Sequence, residues 1–71
     1  MQLDTLVRMG QQIARNNSAL PHDQAVARIA GHLKSFWTPV MIAEIQVFAD
    51  AQPAALDPLL TDALGALRET G

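Results

Sequence analysis

Apolar residues recur three and four positions apart along almost the whole chain, the spacing that lines one face of an α-helix. Leu3, Leu6, Val7, Gly10, Ile13 and Ala14 share a face in a first segment, predicted over residues 4–16. Asp4 or Thr5 is suited to cap its start, and the polar run Arg15, Asn16, Asn17, Ser18 marks its stop. Pro21 suits the first turn of a second helix, residues 21–37, because proline lacks a donor that would be unpaired there anyway. Along it Val26, Ile29, Ala30, Leu33, Phe36 and Trp37 form one stripe, so both aromatics read as its wide end.

Thr38-Pro39 then restarts the chain. Proline disfavours helical geometry at the residue before it, which ends the second helix, and Thr38 can cap a third that begins at Pro39. This third helix is predicted over residues 39–51. Met41, Ile42, Ile45, Phe48 and Ala49 form one face, and Val40, Val47 and Ala51 form a second strip with Glu44 set among them. A helix apolar on two sides wants two neighbours. The segment "AQPAA" reads as a loop, followed by Asp57-Pro58, another cap-plus-proline start. Leu59, Leu60, Ala63, Leu64 and Leu67 then line a last helix over residues 58–69. No alternating run of β-branched and aromatic residues signals a strand. The expectation is an all-α fold: one domain, residues 1–71, built as a small bundle of four short helices.

Composition sharpens this in two respects. Hydrophobic residues make up 49% of a 71-residue chain that has no cysteine, so the aliphatic surface is large and no disulfide can help hold it. That surplus is disposed of either by packing among the chain's own helices or by docking on another protein. The net charge is −2 and unevenly placed: residues 1–34 sum to +2, residues 35–71 to −4. We read this polarity as pairing the two halves. An acidic protein is a poor phosphate neutraliser, and a helix-turn-helix reading fails because residues 39–51 carry Glu44 and Asp50 with no basic residue. No secretory leader or membrane span is visible, which with the absence of cysteine fits the cytoplasm.

Catalytic chemistry finds little support. His22 and His32 stand ten residues apart on different faces, with no second histidine at metal-ligand spacing. The carboxylates form no spaced pair for acid–base work, and Asp57 reads as a cap. Ser18 and Ser35 lack a base and a nucleophile turn, and the isolated glycines make no phosphate loop. Gly10 is the informative glycine: on an apolar helix face it points to a close helix crossing, while Gly31 and Gly65 on polar flanks have no evident reason. Gly10, Thr38, Asp57 and Pro58 are therefore read as structural. Phe36, Trp37 and Met41 are core residues or partner anchors. With Pro39, Val40 and Val47 they make up the candidate partner-binding set, and the strip carrying Val40 and Val47 is the better interface, since the helix's other face already supplies the core.

The blocks "RMGQQIA" (8–14), "AVARIAGHLKSFWTPVM" (25–41) and "LDPLL" (56–60) together resemble the delta subunit of cytoplasmic NAD-dependent formate dehydrogenases. The most diagnostic part is His32, Phe36, Trp37, Pro39 and Met41, read as H-L/I-x-x-F-W-x-P-x-M. The resemblance implies a non-catalytic accessory subunit of a complex that oxidises formate to carbon dioxide. It implies a molybdenum- or tungsten-pterin cofactor and iron–sulfur clusters on the large alpha subunit, with FMN and NAD on the beta subunit, and no cofactor on this chain. The partner so implied is the alpha subunit, and the implied role is assembly or stability of the enzyme. Where the family often has basic residues around the methionine, as in P-R-M-R, this chain has Val40 and Ile42. A second reading of the same surplus apolar surface is a free-standing helical interaction module that forms a homodimer.

Overall fold

The computed structural model describes residues 2–70 as four α-helices and one short 3-10 turn, with no strand among them. The helices are α1 (Leu3–Asn16), α2 (His22–Phe36), α3 (Pro39–Ala51) and α4 (Pro58–Thr70), and the 3-10 turn is Pro53–Ala55, within the segment read as loop.

Local chemistry sets most of these boundaries. α1 starts at Leu3, one residue ahead of the prediction, and neither Asp4 nor Thr5 caps it. Gln2 holds the cap position without a side-chain bond, its carbonyl accepting from the Thr5 and Leu6 amides, and Asp4 instead lies in the first turn, where a carboxylate favours the helix dipole. At the other end Asn17 Nδ2 donates to the Ile13 carbonyl at 2.8 Å and Ser18 Oγ to that of Arg15 at 2.8 Å, covering acceptors the helix leaves orphaned. Pro21 is the residue before α2, not its first. Its ψ of 148° is extended, while its carbonyl accepts the first helical bond from Ala25.

The α2–α3 corner is two extended residues. Trp37 leaves the helix at ψ 145° with its amide still bonded to the Leu33 carbonyl, and Thr38 follows at ψ 158°. Thr38 Oγ1 accepts from the Met41 amide at 3.2 Å, with Pro39 opening α3. Asp57 acts likewise at the start of α4, its Oδ1 accepting from the Leu59 amide at 2.9 Å ahead of Pro58.

The core is one aliphatic cluster with a single ring. α2 contributes Ala25, Ile29, Leu33 and Trp37 at strict four-residue spacing, and α4 contributes Leu60, Ala63 and Leu64, all buried. These two helices make the most extensive contact in the molecule. They run in broadly the same direction, since His22 meets Asp62 near their starts while Lys34 and Trp37 share a groove with Leu67 and Arg68 near their ends. α3 runs back against α4. Leu6, Gly10 and Ala14 of α1 close the cluster. A Cβ at Gly10 would stand 2.9 Å from Leu60 Cδ2 and 3.3 Å from Ile45 Cδ1, so glycine is what lets α1 cross this tightly.

The two aromatics part company here. Trp37 is 6% exposed, whereas Phe36 is 74% exposed. A four-residue ladder drifts around the helix by about 40° per step, so in the last turn the buried direction follows Leu33 and Trp37 and leaves Phe36 on the outer flank. The expectation that both widen the buried stripe holds for Trp37 alone.

These placements fix how substitutions act. Trp37→Ala lowers stability by about 3–5 kcal/mol, while Phe36→Ala stays within about 0.5 kcal/mol, both read by denaturant unfolding. A Cβ at Gly31 or Gly65 meets nothing within 4 Å. Gly31→Ala and Gly65→Ala therefore each raise stability by about 0.5–1 kcal/mol through helix propensity. Gly10→Ala gains nothing, because the same benefit is offset by crowding Leu60 and Ile45, and Gly10→Leu costs about 2 kcal/mol or more. A gain at Gly10 as large as at Gly31 would contradict the close crossing.

Candidate interaction surface

α3 is apolar nearly all round, and the bundle has room for only part of it. Ile45 and Ala49 are buried, Met41, Ile42 and Phe48 are half-buried against the core, and Val40, Ala43, Glu44, Val47 and Ala51 face outward. Val40 and Val47 are each 68% exposed and lie two turns apart on one side. The predicted partner set thus divides. Trp37 closes the core and Met41 packs against it, whereas Phe36, Pro39, Val40 and Val47 are on the surface. Of the two positions where the family pattern is often basic, Val40 is exposed and Ile42 is half-buried. The Phe36 ring leans on His32 one turn back, centroids 4.8 Å apart and tilted by 40°, so the diagnostic block presents an aromatic pair to solvent.

Beside the α3 strip runs an open groove of about 560 Å³. Trp37, Pro39 and Ile42 line one part of it and Leu67 faces them from α4, with Lys34 and Arg68 contributing cationic groups. Trp37 also borders a second, smaller groove, with Met9, Ile13 and His32.

The charges do not pair the two halves of the chain as their distribution suggested. Among the described residues one contact between ionisable side chains joins the halves, a hydrogen bond of 2.8 Å between His22 Nε2 and Asp62 Oδ2, and both groups are half exposed. Arg8, Arg15, Arg28 and Lys34 have no ion pair among the described residues, and neither has Glu44. The reason is geometric. These side chains lie on outward faces, and the acidic half spends Asp50 on its own Arg68 through bonds of 3.0 and 2.8 Å. Arg68 Nη2 also donates to the Gln46 carbonyl at 3.2 Å. α3 has no basic residue in its last turn, so this guanidinium from α4 places positive charge where the α3 dipole is negative. The hydrogen bonds from Arg68 hold the Asp50 carboxyl below the usual carboxylate range and raise Arg68 in turn.

One positioning residue escaped the sequence reading. Gln11 on α1 reaches across 46 residues: its Oε1 accepts from the Asp57 amide at 2.8 Å, and its Nε2 donates to the Ala55 carbonyl at 3.4 Å. It fixes the entry of α4 beneath α1. A glutamine beside an apolar stripe carries no spacing signal that could have disclosed this.

The sequence has no cysteine, and no three His, Asp or Glu residues among those described are grouped to hold an ion. No helix among the described residues is long and apolar enough to cross a membrane.

The model of the NADH-dependent formate dehydrogenase delta subunit family, FdsD, matches residues 5–64. The chain belongs to this family. No curated protein and no solved structure gives a match. Membership implies a place in a formate dehydrogenase complex. The matched stretch takes in the α2–α3 corner, all of α3 and the start of α4, so the outer strip and most of the groove fall inside it.

The Asp50–Arg68 pair gives a pH test. A depressed folded-state pKa contributes stability that is present above the unfolded carboxylate value and lost as pH falls through the folded one. In an NMR titration Asp50 is expected to protonate below an unpaired aspartate, and in Arg68→Ala to return to the ordinary range. An unchanged midpoint in that variant would show that Arg68 does not hold it.

Proposed function

We propose that this delta-subunit family member is a non-catalytic accessory subunit that binds the large, alpha subunit of its formate dehydrogenase and supports assembly or stability of the active enzyme in the cytoplasm. On this reading the pterin metal, the iron–sulfur clusters, FMN and NAD all belong to the other subunits, and this chain supplies a surface. The observation that carries it is the apolar outer side of α3. A fold this small leaves two valines of one helix and a phenylalanine largely in water, although among the described residues every other large side chain of comparable apolarity except Leu3 is half-buried or better. Burying such a patch against a partner removes apolar area from solvent without any rearrangement of the core beneath it.

Co-purification from cells expressing the whole complex tests this. Tagged wild-type chain is expected to recover the alpha subunit, and Val40→Asp/Val47→Asp to lose it by about tenfold or more while retaining native circular dichroism, since both positions are exposed. If the wild-type chain never associates with the alpha subunit, even while cofactor is being inserted, the proposal is wrong.

A further inference from the structure

The groove and the α3 strip are one surface. At about 100° per residue, Ala43 lies between the groove-lining Pro39 and Ile42 on one side and the outward Val40 and Val47 on the other. Ala43 is small and exposed, so nothing walls the groove off from the valines. The charges at the two edges are opposite. Lys34 stands on the groove side with no ion pair among the described residues, next to an Arg68 already committed to Asp50. Glu44 stands beyond the valines, also without an ion pair among the described residues.

We infer that this surface receives an amphipathic helix of the large subunit, its apolar side filling the groove over Ala43, with a carboxylate set against Lys34 and a basic side chain against Glu44. The inference rests on the proposed function and adds to it the place, the chemistry and the orientation of the partner segment. A groove between two helices with an apolar floor is the shape that accepts a third helix. Opposite charges on its two edges fix which way round that helix lies. The same charges disfavour a second copy of this chain. Two α3 faces related by a two-fold axis between Val40 and Val47 bring their Glu44 carboxylates together, and α3 carries no basic residue to offset them.

The test is the affinity of the full chain for the purified large subunit, with circular dichroism confirming that each variant is folded. Lys34→Glu and Glu44→Lys are each expected to weaken binding about tenfold or more, and Ala43→Trp, which fills the groove, to do the same. Arg15→Glu, an equal change of charge at an exposed cation outside the groove, is expected to leave affinity unchanged. Wild-type binding with Lys34→Glu no weaker than Arg15→Glu, or with Ala43→Trp unaffected, overturns the inference and leaves the proposed function standing. No wild-type binding overturns both. A stable wild-type dimer in sedimentation that Ala43→Trp dissociates assigns the surface to a second copy and overturns the inference as well.

Discussion

The fold depends on α2 lying against α4. Seventy-one residues without disulfides have little core to work with, and the largest share of it lies where Ile29, Leu33 and Trp37 share one cluster with Leu60, Ala63 and Leu64. Alanines on both helices keep this packing close, and Trp37 ends it with the one large ring the chain can bury. Everything else is arranged around that pair. α1 crosses α4 and α3 at Gly10, Gln11 pins the approach to α4, and the extended residues Trp37 and Thr38 turn the chain so that α3 returns along α4.

This division of labour has a consequence for α3. With α2 and α4 already paired, α3 is needed on one side only, and its sequence is apolar on more than one. Ile45 and Ala49 satisfy the core, while Val40 and Val47 stay largely exposed. The mismatch between what the helix offers and what the bundle uses ties fold to proposed role. The core is closed by the chain itself, and the surplus is carried on a rigid helix whose geometry the corner fixes.

Much of this was legible in the sequence because it rests on local, periodic signals. Thr38-Pro39 and Asp57-Pro58 define helix starts through backbone geometry and a single acceptor oxygen, and both are seen within a residue of where they were expected. What was not legible depended on three-dimensional register. Phe36 and Trp37 are adjacent and equally apolar, yet one is exposed and the other buried, because the drift of the α2 stripe decides between them only once α4 is in place. Asp4 is suited both to a cap and to a first turn, and the fold uses it in the first turn with Gln2 at the cap position. The charge halves suggested mutual pairing, but a sum over residues says nothing about position, and the exposed cations of the first half make no ion pair with the carboxylates of the second among the described residues. Gln11 acts across 46 residues, a separation no local pattern encodes.

The single tryptophan belongs to the chain's own core, 6% exposed, and offers the groove beside it no more than an edge. Tryptophan fluorescence of the isolated full-length chain addresses it without ambiguity of assignment, since there is one indole. A buried ring gives a blue-shifted emission, poorly quenched by iodide, that moves to the red only on unfolding. A water-like, readily quenched emission in the free, folded chain would put the ring outside the core and overturn that placement.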